Sequence, residues 1–281
     1  MNLLYRMSMF AIIMAATCCT AVAAPQTEIV AATEINWTPL NPARGDASPK
    51  AATLWGDRAG RGATGFLVRF KKGFSSPPHI HNVTYRGVVI RGLVHNDDPK
   101  AAEMWMPAGS FWTQPAGEVH ITSAKDKYNI AYIEIGDGPY LVRPPKQAFD
   151  NGERPVNVDP SNLVWVNQAG VPAPENSTPD MTPRMTFLWG EPEAGKLNGT
   201  MVRLPMGFRG VLSANGPSLR AVVIKGQTGL KVKDAQNTKK LEPGSYFGTE
   251  GEAVHEISCT GEAECILYVR AVGMYSVAAA S

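Results

Sequence analysis

The sequence predicts an all-β protein built from two tandem copies of one domain, each a small antiparallel barrel or jelly roll. Three observations carry this reading. Glycine (27) and proline (22) make up about a sixth of the 281 residues, more than a helix-rich chain tolerates. Short runs rich in β-branched and aromatic residues, such as 65–70, 86–93 and 130–135, are bounded by turn clusters, and no segment after the first two dozen residues keeps a long 3.6-residue apolar period. Finally, the chain resembles itself at an offset of 134 residues: Leu54-Trp55-Gly56 recurs as Leu188-Trp189-Gly190, Val68-Arg69 as Val202-Arg203, Gly73-Phe74 as Gly207-Phe208, and Val88-Val89-Ile90 as Val222-Val223-Ile224. A period this long means two domains, not a solenoid.

Taken in order, residues 1–23 read as a secretory signal peptide. Met1–Arg6 supplies a positive start, Met7–Thr17 is apolar, and Ala21-Val22-Ala23 is a small-residue cleavage site. An apolar run of about 11 residues falls short of the roughly 20 needed for a membrane span. The expected location is periplasmic or secreted. Residues 34–145 form the first copy, 146–162 a Pro/Gly/Asn-rich linker, and 163–278 the second copy. Cleavage would leave two of the four cysteines, Cys259 and Cys265, as candidates for a disulfide around a short loop, which suits an oxidising compartment and would stabilise by about 2 kcal/mol.

Composition excludes several classes of function. With 27 Lys+Arg against 25 Asp+Glu and no long basic run, the chain carries no electrostatic footprint for nucleic acid. No Gly-rich phosphate loop follows a strand, and no Gly-x-Ser-x-Gly elbow is present, which disfavours nucleotide binding and serine hydrolysis. The expected partner is a small molecule, and a homodimer is compatible with the exposed edges of such sheets.

Chemistry concentrates in the first copy. Histidines at i and i+2 on a strand project to one face, so His79 and His81 can both point inward, and His120, after the Pro115-Ala116-Gly117 turn, can join them from another strand. Neutral imidazoles suit transition metals better than magnesium or calcium, and three protein ligands leave positions open for water, substrate or dioxygen. The second copy has Ser213, Asn215 and Leu219 where the first has His79, His81 and Tyr85, and Glu250 and Glu252 in place of Pro115 and Gly117. Only His255 persists, opposite His120. That copy is degenerate and should not bind metal, although a histidine retained alone warns that His120 could share a structural role.

Gly73, His79-x-His81, Tyr85 and Gly92, followed by Gly109, Pro115-x-Gly117 and His120, resemble the two motifs of the cupin superfamily. The resemblance covers both copies, so the chain is similar to secreted bacterial bicupins. It implies two tandem jelly-roll barrels, with one divalent transition metal held in the first by His79, His81 and His120. Fe(II) is favoured, with Zn, Mn, Ni or Cu also compatible. The sequence departs from the pattern at Tyr85, where the family usually has glutamate. Either three histidines hold the metal alone, as in the three-histidine cupin dioxygenases, or Tyr85 approaches as a weak fourth ligand or as a hydrogen-bond donor behind the ligands.

Three neutral ligands leave the full charge on a divalent ion, so such a site favours a small anionic oxygen chelator. The expected function is a metal-dependent, dioxygenase-like oxygenase or isomerase acting on such a molecule; the alternative is a non-catalytic periplasmic bicupin that binds or senses a small molecule. Other residues read more plainly. Arg86, present in both copies, reads as structural. His95, beside Asn96-Asp97-Asp98-Pro99, reads as part of a solvated turn, and Trp105, Trp112, Met104 and Met106 receive no role.

Overall fold

The computed structural model describes residues 26–168, 181–233 and 235–280. The leader expected over 1–23 lies outside the described residues. No helix among them is long and apolar enough to cross a membrane.

The architecture is predominantly antiparallel β and jelly-roll-like, organised around two seven-stranded sheets. In the first sheet the strands run in the order Val156–Val158, Phe111–Gln114, Tyr85–Arg91, Asn129–Ile135, Thr64–Phe70, Lys50–Trp55 and Thr38–Pro39. The second repeats that order with Gln26–Val30, Tyr246–Glu250, Ser218–Lys225, Cys265–Val272, Leu197–Leu204, Arg184–Gly190 and Val166–Asn167. The edges show a reciprocal exchange. Gln26–Val30, which precedes the first copy, pairs with Tyr246–Glu250 of the second, while Val156–Val158, from the stretch read as linker, pairs with Phe111–Gln114 of the first.

Most strands of these sheets bury both faces, which is why they read as nearly unbroken apolar runs and not as clean alternation. Along Asn129–Ile135, Ala131, Ile133 and Ile135 enter the core of the first half, whereas Tyr132 enters a separate core between the halves. Along Cys265–Val272, Leu267, Val269 and Ala271 fill the second half, and Ile266 and Tyr268 face the first.

The core between the halves obeys the repeat. Trp55 donates its indole N–H to the Tyr132 hydroxyl (3.1 Å), and Trp189 donates to that of Tyr268 (2.9 Å). Both tyrosines donate to one carboxylate, that of Glu134, at 3.1 and 2.8 Å. Each tryptophan face receives the equivalent arginine of the opposite half: Arg86 lies 3.9 Å from the Trp189 ring centre and Arg220 lies 4.7 Å from that of Trp55. The structural reading of Arg86 thus acquires a concrete contact. Gly65 and Gly199 make room for these indoles, because a Cβ at either position would lie 2.1 or 1.9 Å from the tryptophan Nε1.

The outer layers differ between the halves. In the second half a continuous five-stranded sheet closes over the core, in the order Lys239–Leu241, Thr228–Val232, Ala253–Cys259, Arg209–Ala214, Tyr275–Ala279. Cys259 and Cys265 are joined by a disulfide that ties this layer to the large sheet. In the first half the corresponding layer is broken into two-stranded pieces, Val94–Asp97 with Ile121–Ala124 and Ile80–His81 with Val142–Arg143, linked by the isolated bridges Ser75↔Ser123 and His79↔His120. The cause is local: Pro77 and Pro78 lack N–H groups and cannot sustain a ladder, whereas the second half has Val211 and Leu212 at those positions.

Glu134 is almost fully buried and satisfies two phenols at once. Glu134→Ala strands both donors between the halves and is expected to lower the unfolding free energy by about 3 kcal/mol. The check is a single cooperative urea transition whose midpoint falls without a change in slope.

Candidate metal centre

The break in the outer layer is where the histidines meet. His79 and His120 form a closely hydrogen-bonded antiparallel pair, each N–H donating to the other's carbonyl at 3.0 Å. Directly opposed residues present their side chains on one face, and the two rings stand 4.3 Å apart. Two residues further on, His81 returns to the same face, 5.0 Å from the His79 ring and 5.2 Å from that of His120. One nitrogen from each of the three lies within 4.8 Å of the others. His81 and His120 are buried; His79 is partly exposed on the wall of a cavity.

Main-chain carbonyls set the tautomers. The Nδ1 of His79 meets Pro77 O at 2.9 Å, that of His81 meets Leu141 O at 3.1 Å, and that of His120 meets Glu118 O at 3.2 Å. A carbonyl can only accept, so each Nδ1 carries the hydrogen and each Nε2 presents a lone pair. Three neutral imidazoles oriented in this way are the donor set a divalent transition metal requires, with the orienting hydrogen bonds already made.

Two phenols flank these lone pairs. Tyr85 Oη is 3.3 Å from His120 Nε2 and donates to Asn96 Oδ1 at 2.8 Å. Asn96 then donates to Gln114 Oε1, and Gln114 donates to Glu118 O, the carbonyl that also holds His120 Nδ1. The network closes on itself, so Tyr85 braces the site through buried neutral groups. Tyr140 stacks on His81 at 4.3 Å, nearly parallel, with its hydroxyl 3.1 Å from His81 Nε2. Asn82 clamps this segment by donating to Pro139 O and accepting from Leu141 N–H.

A cavity of about 660 Å³ opens onto the site. His79, His81, Tyr85, Trp112 and Tyr140 are on its wall, and its lining is predominantly apolar. Its size suits a small organic molecule. Burial lowers the proton affinity of the whole trio. His120 is held down to about 3 by desolvation and then by the neighbouring His79; His81 is pushed well below the ordinary histidine value by desolvation and by the other two rings; His79 shifts the same way, again through burial. Burial raises the Tyr85 and Tyr140 hydroxyls, keeping both protonated.

Elsewhere the structure corrects the sequence reading. His95 is not in a solvated turn: it is buried on Val94–Asp97, with Nδ1 at 3.3 Å from Met104 O. Trp112, given no role above, lines the cavity. Tyr140 was missed altogether. In the second half, Leu219 packs in the core where the first half has Tyr85, and Asn215 is exposed. His255 is buried with Nε2 on Thr249 Oγ1 at 2.9 Å. Among the described residues the three histidines of the first half are the only cluster able to hold a metal ion.

A family model described as a domain of unknown function, DUF4437, matches residues 28–278. No curated protein matches the sequence. Among solved structures, the chain is similar to a proposed dioxygenase from Nostoc punctiforme (TM-score 0.63, 14% identity, 87% of this chain and 82% of that one). It is also similar to an oxalate decarboxylase from Lactobacillus farciminis in a formate complex (0.56, 12%, 92% and 88%) and to salicylate 1,2-dioxygenase from Pseudoaminobacter salicylatoxidans with gentisate (0.52, 15%, 82% and 74%). At these identities the likeness establishes a cupin-like fold.

The depressed histidines also set a pH dependence. In the metal-free protein the folded trio stays neutral while the unfolded chain takes up protons near pH 6.5, so stability is lost as pH falls below that value. Urea midpoints at about pH 7.5 and about pH 5 should show this loss, and it should shrink in His81→Asn and His120→Asn.

Proposed function

The chain belongs to the DUF4437 family, and on that footing we propose that it is a metal-dependent oxidative enzyme of the bicupin type, acting on a small anionic oxygen chelator. In this reading His79, His81 and His120 hold one divalent transition metal, Fe(II) favoured, in the first of two jelly-roll barrels. The single observation that carries it is the convergence of three Nε2 lone pairs, each fixed by a main-chain carbonyl on Nδ1, at the wall of an apolar cavity.

A bound iron would supply a Lewis-acidic, redox-active centre able to coordinate a chelating substrate and dioxygen. The chain's own residues do the rest. The three imidazoles add no negative charge, so an anion is drawn to the ion more strongly than it would be beside a carboxylate ligand. Tyr140 offers a neutral O–H donor at the edge of the same site, Tyr85 gives its hydrogen to Asn96 and braces the site from behind, and Trp112 keeps the adjoining wall dry. The names of the compared structures, a salicylate dioxygenase with gentisate and an oxalate decarboxylase with formate, fit an oxygen-rich acid as guest. The second half serves as a packing partner. The proposed location is the periplasm, a reading supported by the leader-like composition of 1–23 and by the disulfide.

The test is reconstitution with Fe(II) under anaerobic conditions, followed by metal analysis and oxygen uptake with catechol, phenolic acids and β-dicarbonyls. About one iron per chain is expected, with substrate-dependent oxygen consumption. His79→Ala and His120→Ala should each lower metal affinity at least about tenfold while the near-ultraviolet circular dichroism of the metal-free fold persists. A protein that retains no metal after reconstitution, or iron-loaded protein that consumes no oxygen with any of these compounds, would overturn the proposal.

A further inference from the structure

The cavity wall carries three charged residues that the metal site does not use, and one of them stands apart. Arg58 is half-buried, whereas the other charged residues lining the cavity, Arg44 and Asp57, are exposed. The Arg58 guanidinium lies 5.4 Å from the Phe66 ring centre, and its Nε donates to Thr53 Oγ1 at 3.2 Å. Among the described residues Arg58 makes no ion pair, and neither Nη1 nor Nη2 has a hydrogen-bond acceptor. Its position is nonetheless fixed: its carbonyl accepts the Tyr140 N–H at 3.1 Å, and Phe66 packs edge-on against Tyr140 at 5.4 Å. Arg58, Tyr140 and His81 therefore follow one another along the cavity wall, from a cation to the histidines, with Phe66 packed behind Arg58 and Tyr140.

We propose that Arg58 is a specificity-determining residue that receives a carboxylate at the far end of a ligand whose other end chelates the metal, with an apolar, ring-sized body spanning the wall between them. The inference rests on the metal-centred reading above and names the substrate class more narrowly. Three features favour it. A planar guanidinium with both terminal nitrogens free matches a carboxylate in bidentate geometry. A half-buried cation without a partner is desolvated at a cost that an incoming anion would offset, and burial already weakens the hold of Arg58 on its proton, with Asp57 opposing. Tyr140, which touches both Arg58 and His81, puts an aromatic ring on the wall between cation and histidines, and the cavity is far larger than a two-carbon acid requires.

The experiment uses zinc-loaded protein, so that binding is read without turnover, and calorimetric titration with catechol, protocatechuate and dihydrocaffeate. These share one chelating diol; the latter two add a carboxylate at a shorter and a longer reach. Wild type should bind at least one of the acids about tenfold more tightly than catechol. Arg58→Met should abolish that preference and leave catechol affinity unchanged, while Arg58→Lys should retain part of it. If Arg58→Met does not fold, Arg58→Lys with a salt titration carries the test, since the fork is lost and the charge kept. Equal binding of all three probes to wild type, or an acid preference that survives in Arg58→Met, overturns the role of Arg58 and leaves chelation at the metal standing. Binding of none of the probes removes the chelation reading itself, and this inference with it.

Discussion

The face-to-face packing of the two large sheets is the contact on which the rest of the structure depends. It converts strands that would each have one wet face into strands buried on both, and it does so through paired elements related by the repeat: Trp55 and Trp189, Tyr132 and Tyr268, Arg86 and Arg220. Glu134 breaks the symmetry, since one carboxylate serves both phenols. The exchanged edge strands add to this. Gln26–Val30 and Val156–Val158 each complete the sheet of the opposite copy, so neither half retains its full sheet without segments that lie outside it in sequence.

That shared core makes the divergence of the outer layers tolerable. One half spends its interior on packing: Phe208, Leu212, Leu230, Phe247 and Val277 fill the space under a continuous five-stranded sheet. The other half interrupts the same layer at Pro77-Pro78 and leaves a cavity with histidines on its wall. An open, polar site loses packing energy, and the large sheet behind it is held by its partner from the other side. A rigid back wall is what a metal site needs, because ligand geometry must be maintained to a fraction of an ångström by surrounding structure.

The legible parts of the site were those encoded at short range. His79-x-His81 is readable because strand geometry puts i and i+2 on one face, and His120 because a Pro-Ala-Gly turn delivers the next strand beside them. The sequence repeat was legible for the same reason, since the Leu-Trp-Gly and Gly-Phe turns recur at one offset, and the two large sheets share one strand order. What escaped depends on tertiary placement. Tyr140 follows the last long strand of its half and precedes the stretch read as linker, and nothing local says that this segment returns to pair Val142 with His81. His95 was misread because Asn96-Asp97-Asp98-Pro99 has turn chemistry, yet Asn96 faces inward to join Tyr85, Gln114 and Thr122 in a buried network. The strand exchange was invisible because short edge strands carry no label for the sheet they join.

That network explains why a phenol suits position 85. A glutamate there would need charge compensation in a site whose described neighbours, Asn96, Gln114, Thr122 and His120, are all neutral; the nearest compensating charge would be the metal itself. A phenol fits because Asn96 Oδ1 accepts its hydrogen, and the chain of amides then returns to the carbonyl that orients His120. The three imidazoles are therefore oriented by main-chain carbonyls and neutral side chains, with no charged neighbour among those contacts. The consequence is electrostatic. With no ligand charge to cancel it, the positive charge of a divalent ion held there would be answered by the guest, and a predominantly apolar cavity leaves the guest's own anionic oxygens as the natural source of that answer.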